Sequence, residues 1–469
     1  MAPAPDALTR THVGPLANRW VVLGVVMVGL FAYGTTTTVL TASLQEVADG
    51  LDTSTASLAW TVTAPFLALG IGNPVFGKLG DIHGRRRFYL GGMALFTAAT
   101  IASAFAPSAA VLIALRACAG LGAAASMPNG TAIILDSFTV DERPRALGVF
   151  NLIATGAPAV GLVLGGPMVN AFGWRSVFAI YGAIALGGFV AALPTVPHDN
   201  GGARVPIDIA GSAALGTATL GLMLGMSLGE DIGFAHPGTV ALLCLAPLGA
   251  LWFVRAEARA PHPLVPLPYF RRANFAGPLV AYFCGHIAYM GAFVITPILL
   301  DHVFGYALGV ATSVLLLRPL SFSLASPIGG RMTTALGERV TSVVSGLGMV
   351  VSMLLFTVGA TAELIPVVIA GLSLSGVCLG LCSPAYMSAA TDAAEPTELG
   401  LATGMISTAA SLGTVVGIQI AVLALGDGDP HAAGDFTLPY LIGAAAAALM
   451  LLASSVMRRV SRQAAPAVR

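Results

Sequence analysis

Long apolar segments constrain this chain more than any other feature of its sequence. Fourteen runs of about 20 residues, bounded by charged residues, glycine or proline, follow one another along its 469 residues. A helix of that length crosses the hydrocarbon core of a bilayer, which is about 30 Å thick. Only 9% of the residues are charged, whereas a soluble domain carries roughly a quarter. The sequence therefore predicts an all-α membrane protein.

The apolar runs predict about fourteen transmembrane helices. They lie near residues 20–44, 57–77, 88–106, 109–135, 146–169, 174–194, 208–228, 238–254, 274–298, 306–328, 339–359, 363–386, 399–424 and 436–456. The first run is too long for a cleavable signal peptide and is followed by similar runs, so we expect it to remain as a span.

Basic residues are distributed very unevenly between the predicted loops. If the N terminus is cytoplasmic, 19 of the 22 basic residues lie on the cytoplasmic side, Arg175 lies outside, and Arg116 and Arg318 lie within spans. Cytoplasmic loops of membrane proteins carry an excess of Lys and Arg. The distribution predicts a multi-pass protein of the inner (plasma) membrane, with both termini cytoplasmic.

The order of the helices predicts two halves separated by an insertion. The expected parts are a cytoplasmic tail at 1–19, a six-helix half at 20–194, an inserted two-helix hairpin with its flanking loops at 195–273, a second six-helix half at 274–456 and a cytoplasmic tail at 457–469. Residues 330–339 repeat the glycine spacing of residues 77–87, with Thr334 in place of Asp81. Many carriers are built from such internal repeats.

The segment from residue 77 to residue 87, Gly-Lys-Leu-Gly-Asp-Ile-His-Gly-Arg-Arg-Arg, reads as a tight cytoplasmic turn between two helices. Gly77 and Gly84 permit positive φ and close approach of helices. Asp81 can cap a helix and pair with a neighbouring arginine, and the three arginines can bind anionic headgroups.

This loop resembles the signature loop between the second and third spans of the major facilitator superfamily. In that family the acid and an arginine of the loop latch the two halves together, which implies that role for Asp81 and Arg85. Residues 116–124 are similar to the family's fourth-span pattern. Trp174 and Arg175, with the inserted helix pair, resemble the fourteen-span drug:proton antiporter branch. The resemblance implies proton-coupled efflux of a drug, antibiotic or secondary metabolite by alternating access.

Two departures from that branch concern coupling. Thr36 stands where the first span usually carries an acid, and the fifth-span Gly-Pro pair appears as Gly161-Leu162. Two interpretations therefore stay open. One is proton antiport in which Arg116 or His286 takes part, and the other is an uncoupled or differently coupled facilitator or importer of anionic or neutral molecules.

Arg116, His286 and Arg318 lie within predicted spans, where ionisable groups are costly and often functional. The resemblance implies a coupling or gating role for Arg116. Structural roles stay open for each: Arg116 as a hydrogen-bond hub, His286 as a packing residue, and Arg318 as a donor to a carbonyl freed by Pro319. Because an unpaired buried cation seeks a counter-ion, we expect Arg318 to contact the acidic or polar group of an amphiphilic substrate.

Further candidates for substrate contact are polar and aromatic residues. They lie in the helices equivalent to those that line the family's cavity, and they are Tyr33, Thr36, Phe66, Asn73, Asn129, Asn151, Tyr289, Phe293 and Gln419. Pockets of this kind are mostly apolar with a few placed polar groups. Each of these residues also fits a packing role.

Other classes of function are disfavoured by the sequence. It shows no nucleophile with a base and no phosphate-binding glycine loop on a soluble domain, which speaks against a membrane enzyme or sensor. The five cysteines lack the spacing of a metal or redox site. We expect no cofactor, no metal and, because 22 acids balance 22 bases, no nucleic acid. The expected partners are a small-molecule substrate, protons and the lipid bilayer, and we expect a monomer.

Overall fold

The computed structural model of the chain describes residues 18–198, 208–261, 263–306, 308–425 and 433–458. Within these ranges the chain forms 16 α-helices and three short 3-10 turns, and no strand. The predicted all-α fold is confirmed.

The helices are numbered here in chain order. They are α1 (Arg19–Ala42), α2 (Leu44–Gly50), α3 (Thr55–His83), α4 (Arg85–Ser103), α5 (Ala109–Ser137), α6 (Arg143–Phe172), α7 (Trp174–Thr195), α8 (Ile209–Ile232), α9 (Pro237–Glu257), α10 (Ala273–His302), α11 (Leu308–Leu315), α12 (Leu317–Leu336), α13 (Glu338–Thr361), α14 (Ile365–Ala393), α15 (Leu399–Leu425) and α16 (Thr437–Val456). Every one of the fourteen predicted segments overlaps at least one of these helices.

Ten helices in the described part of the chain are long and apolar enough to cross a membrane: α1, α5, α6, α7, α9, α10, α13, α14, α15 and α16. The chain is therefore a multi-pass membrane protein. Among the other long helices, α3 contains Pro65 and Pro74, and the apolar part of α8 is confined to Ala210–Met226.

The predicted segment 306–328 is divided into two helices, because α11 ends at Leu315 and α12 begins at Leu317. Pro319 accounts for the break. Its nitrogen has no hydrogen to donate to the carbonyl of Leu315, and its ring crowds that carbonyl.

Buried apolar side chains form separate clusters in the first and last parts of the chain. Helices α1 to α7 hold three clusters, which include Tyr89, Trp174 and Phe96 respectively. Helices α10 to α16 hold one larger cluster that includes Phe356. We call these two sets the first group and the second group. The hairpin of α8 and α9 joins a further cluster that includes Leu401 of α15.

Two helix pairs carry the main contact between the groups: α3 with α15, and α6 with α12. A Cβ atom added to Gly77 in α3 would lie 2.2 Å from the carbonyl oxygen of Gly400. A Cβ atom added to Gly330 in α12 would lie equally close, at 2.2 Å, to the carbonyl oxygen of Pro144. The two glycines that the sequence repeat aligns therefore have the same packing role.

The predicted turn over residues 77–87 is shorter than expected. Helix α3 continues to His83, and only Gly84 leaves the helical conformation, with φ at 107°. Gly77 lies within the helix, and its missing side chain allows the close contact with α15 rather than a turn. Gly337, with φ at 88°, has the place of Gly84 between α12 and α13.

Candidate functional site

Asp81 lies near the end of α3 and caps the N terminus of α15. Its Oδ1 accepts a hydrogen bond from the backbone N–H of Gly400 at 3.0 Å, and its Oδ2 accepts one from Leu401 at 2.9 Å. Because α15 begins at Leu399, these N–H groups have no partner within their own helix. The carboxylate also lies at the positive end of the helix dipole. Asp81 therefore joins the first group to the second.

Arg85 extends this contact at the start of α4. Its Nε donates to Asp81 Oδ1 at 2.7 Å, and its Nη1 forms an ion pair with Asp136 near the end of α5. Its Nη2 donates to the carbonyl of Pro396 at 3.2 Å. The predicted partners Asp81 and Arg85 are thus brought together, whereas the contribution of Asp136 was not predicted.

Further polar contacts between the groups lie at the same end of the helices. Lys78 forms an ion pair with Glu398, and Arg143 Nη1 lies 3.1 Å from Asp392 Oδ1. We call this end, marked by Asp81 and these two pairs, the charged end.

The charged end also includes a tyrosine from the segment between α9 and α10. The hydroxyl of Tyr269 donates to Glu398 Oε2 at 2.5 Å. Burial, together with the hydrogen bond to the Glu398 carboxylate, raises the pKa of the Tyr269 phenol above its usual range. Tyr269 therefore remains a hydrogen-bond donor at neutral pH.

A second polar network joins the two groups farther along the same helices. Asn151 follows Arg143 by eight residues in α6, so at about 1.5 Å per residue the network lies about 12 Å from the charged end. Asn151 Nδ2 of α6 donates to Ser383 Oγ of α14 at 3.0 Å, and the hydroxyl of Tyr282 in α10 shares a hydrogen bond with the same oxygen at 3.0 Å. The Nδ1–H of His286 donates to the Tyr282 carbonyl at 2.9 Å, and the two rings meet edge to face at 4.3 Å. The predicted residues Asn151 and His286 thus belong to one network.

Tyr282 and Ser383 complete this network, and sequence reasoning missed both. A serine within an apolar span has the appearance of a packing residue. Its role becomes visible only when α6 is placed against α14.

Arg116 is fully buried within the first group. Its Nη2 donates to Thr37 Oγ1 at 3.3 Å, and its guanidinium carbon lies 5.9 Å from the ring centre of Phe178. Its Nε and Nη1 have no hydrogen-bond partner among the residues that the structure describes. The contact with Thr37 places Arg116 one helical turn from the predicted residue Tyr33 on α1.

Arg318 is fully buried within the second group, among aromatic rings. Its guanidinium carbon lies 3.9 Å from the ring centre of Tyr289, 5.8 Å from that of Phe356 and 5.9 Å from that of Phe293. Its Nε donates to Ser375 Oγ at 2.8 Å. Within the described ranges its Nη1 and Nη2 have no hydrogen-bond partner.

Two other predicted residues use their polar groups within the first group. The hydroxyl of Thr36 donates to the carbonyl of Ala32 in its own helix at 2.5 Å. Asn129 Nδ2 donates to the carbonyl of Phe76 at 2.9 Å and to that of Ala125 at 2.8 Å, and so connects α5 to α3.

The remaining predicted residues differ in exposure. Phe66 is 41% exposed and Phe293 is half-buried, whereas Asn73 and Gln419 are buried. Within the described residues no group of three His, Cys, Asp or Glu side chains is placed to hold a metal ion.

Comparison with known proteins identifies the family. The model of the Major Facilitator Superfamily matches residues 26–418 and, in a second match, residues 279–469. The multidrug resistance protein Stp of Mycobacterium tuberculosis is 29% identical over 396 residues, which are 84% of this chain and 73% of that protein. The methylenomycin A resistance protein of Streptomyces coelicolor is 28% identical over 418 residues, 87% of each chain.

The fold agrees with solved transporter structures. The human organic anion transporter MFSD10 (TETRAN) superposes with a TM-score of 0.66 at 15% identity, over 94% of this chain and 99% of that one. The proton:xylose symporter XylE superposes with a TM-score of 0.61 at 14% identity, over 92% and 95% of the two chains. The family match covers most of the sequence, and the helical architecture is that of its members. This chain belongs to the major facilitator superfamily.

Proposed function

We propose that this chain is a secondary active exporter of amphiphilic small molecules, such as a drug, antibiotic or secondary metabolite, driven by proton entry. The closure of the charged end by contacts between the two groups carries the proposal. A carrier that works by alternating access must close one end of its cavity while the other end is open. Relatives named for multidrug resistance and for methylenomycin A resistance support efflux as the direction.

In this proposal residues 20–194 and 274–456 are the two moving halves, and residues 195–273 are an inserted hairpin. The separate apolar clusters of the two groups and the matched contacts of Gly77 and Gly330 support this division. We further propose that all fourteen segments cross the membrane. Helices α3, α4, α8 and α12 each pack lengthwise against a helix that qualifies as a span, so neighbours shelter their more polar residues.

The charged end is assigned to the cytoplasmic side. The loops that the basic residues mark as cytoplasmic are the ones that join helices at this end, and both termini belong to the same side. With this end closed, we assign the structure to a state of the transport cycle in which the cavity is closed toward the cytoplasm. Asp81 and Arg85 then act as the latch that holds this state.

The substrate class follows from the buried cations. Arg318 has two unpartnered donors and lies among aromatic rings, and a buried cation without a counter-charge is costly. We therefore assign Arg318, with Tyr289 and Phe293, to contact with the acidic or carbonyl group of the substrate. The other candidates for cavity contact are Tyr33, Thr36, Phe66, Asn129, Asn151 and Gln419.

Coupling to protons involves other residues than substrate contact. Thr36 bonds to its own helix, and within the described ranges no carboxylate forms a salt bridge with Arg116. Arg116 and His286 are the groups left to take part in proton movement. The alternative is an uncoupled or differently coupled facilitator or importer of anionic or neutral molecules.

The role of Arg318 is tested by comparing export of an anionic and a cationic fluorescent amphiphile from cells that express each variant. Arg318→Ala is expected to abolish export of the anion, whereas Arg331→Ala, an exposed arginine on the same helix, retains it. Preferential export of the cation, unchanged in Arg318→Ala, contradicts the proposed substrate class.

A further inference from the structure

Two carboxylates meet where the hairpin of α8 and α9 begins and ends. Asp208 caps the N terminus of α8, and its Oδ1 accepts a hydrogen bond from the backbone N–H of Gly211 at 2.8 Å. Glu257 is the last residue of α9 and is only 4% exposed. Its Oε2 accepts a hydrogen bond from the backbone N–H of Val265 at 3.1 Å. Each carboxylate thus uses one oxygen to hold the backbone.

The other oxygens of the two carboxylates lie close to the same point. A Cβ atom added to Gly211 would lie 2.3 Å from Glu257 Oε1 and 2.7 Å from Asp208 Oδ2, so the two oxygens are no farther apart than the sum of these distances. Both oxygens are enclosed, and neither has a hydrogen-bond partner among the residues that the structure describes. Two groups of like charge therefore lie side by side away from bulk water.

The surroundings offset one negative charge but not two. The N terminus of α8 is the positive end of a helix dipole, and two backbone N–H groups donate to the pair. Lys78 of α3 lies close enough to interact with Glu257, but its ammonium group is paired with Glu398. Arg255 and Arg259, in the last turn of α9 and just after it, are exposed, and the buried cluster that joins this hairpin to α15 is apolar.

A proton accounts for this arrangement better than a water molecule or a metal ion does. When two carboxylates share a site, one of them is held in the protonated form, because the pair then carries a single charge and one hydroxyl donates to the facing oxygen. A bridging water leaves both charges in place. A metal ion such as Ca²⁺ or Mg²⁺ takes about six or more oxygen ligands, and within the described ranges no group of three His, Cys, Asp or Glu side chains is placed to hold one.

We propose that Asp208 and Glu257 together form a proton-binding site, in which one proton is shared between the two side chains at neutral pH. The site is separate from Arg116 and His286, and it lies near Lys78 at the charged end. Ionisation of the pair at higher pH places two like charges between the ends of α8 and α9, and so weakens the packing of this hairpin. Exchange of the proton with the cytoplasm rests on the proposed function, whereas proton binding is measured without transport.

Infrared spectroscopy of the purified full chain tests the proposal, because a protonated carboxyl group has a C=O stretching band that is separate from the bands of a carboxylate. At neutral pH we expect a band from about one carboxyl group per chain, calibrated against the acid-unfolded chain, in which all 22 acidic side chains are protonated. Glu257→Gln and Asp208→Asn are each expected to lose the band, since either change removes the like charge that keeps the other group protonated. Glu363→Gln, at an exposed glutamate, retains it.

A second measurement does not depend on any variant. In the wild-type chain the band is expected to disappear as the pH is raised, to return when the pH is lowered again, and to be unaffected by sodium chloride at constant pH. Loss of the band on addition of sodium chloride shows that a metal ion takes the place of the proton, and it contradicts the assignment.

Absence of the band from the wild-type chain at neutral pH overturns the proposal. A band that either Glu257→Gln or Asp208→Asn retains overturns the sharing of one proton by these two side chains. The expected band and its expected loss, in a chain that transports nothing, support the proton site and contradict only the proposed function.

Discussion

The carboxylate of Asp81 accepts a hydrogen bond from the backbone N–H of Leu401 at 2.9 Å, across 320 residues of sequence. One side chain thus caps a helix of the opposite group, and its other oxygen binds both Gly400 and Arg85. The proposed latch is therefore a helix cap that must be broken whenever the charged end opens.

Asp81→Asn tests this cap. The amide keeps the shape of the side chain but loses the charge that favours the helix N terminus and that pairs with Arg85. We expect the closed state to lose about 1–2 kcal/mol, and initial transport rates to fall about tenfold. Asp52→Asn, at an exposed aspartate, is the matched control. Equal rates in the two variants contradict a latch role for Asp81.

Gly77→Ala tests the close approach of α3 and α15. Its Cβ atom would lie 2.2 Å from a backbone oxygen, which cannot move aside as a flexible side chain can. We expect a loss of about 1–3 kcal/mol in the free energy of unfolding, seen as a lower melting temperature in detergent. Gly91→Ala adds a methyl group where, apart from adjacent residues and the nearby backbone of its own helix, nothing lies within 4 Å, and it should melt like the wild type. A stable Gly77→Ala chain is evidence against the contact.

Asn151 and Ser383 allow the movement of the groups to be blocked. Asn151 Nδ2 and Ser383 Oγ lie 3.0 Å apart across α6 and α14, so cysteines at these positions face each other, and the loss of free thiols on oxidation checks that a disulfide has formed. In a background without the five native cysteines, we expect oxidation of the Asn151→Cys, Ser383→Cys pair to stop transport. Reduction should restore it, and Asn151→Cys alone should respond to neither treatment. Full transport by the cross-linked chain shows that these helices need not separate.

Tyr269 gives a prediction about pH. The pKa of the Tyr269 phenol is raised in the folded chain. Its hydrogen bond to Glu398 therefore stabilises the fold fully at pH values below the pKa of the unfolded chain, about 10, and this stabilisation is lost as the pH rises through the higher pKa of the folded chain. We expect Tyr269→Phe to unfold about 1 kcal/mol more easily than the wild type from pH 7 to 9. Thermal melts at each pH measure the difference, and Tyr306→Phe, at a half-buried tyrosine after α10 whose ring stacks on Phe304, is the control. A difference that grows with pH in this range contradicts the assignment.

The sequence predicted the fold well because apolar length is a local property. The positions of the apolar segments, the pairing of Asp81 with Arg85 and the close approach that Gly77 allows all depend on residues close in sequence or on a known spacing. The break before Pro319 was not predicted, because the segment 306–328 was expected to be one helix; a proline excludes its own i−4 hydrogen bond, and this rule would have indicated the break.

The parts that could not be predicted depend on contacts between distant helices. Asp136 and Glu398 lie at helix ends, where their arginine and lysine partners become visible only after the helices are packed. Asn129 and Asn151 have the same appearance in sequence, yet one connects α5 to α3 within a group and the other joins the two groups. Helical periodicity shows that a face is buried, but it does not show whether that face contacts a helix of its own group or of the other group.

The central claim is that an inward proton gradient drives outward movement of an amphiphile through this chain. It is tested most directly with the purified protein in inside-out proteoliposomes whose lumen is more acidic than the medium. We predict that an anionic amphiphile accumulates in the lumen above its external concentration, and that collapsing the pH gradient abolishes the accumulation. Protein-free liposomes give the passive background. Uptake that stops at equal concentrations and is indifferent to the pH gradient contradicts coupled export and favours an uncoupled facilitator.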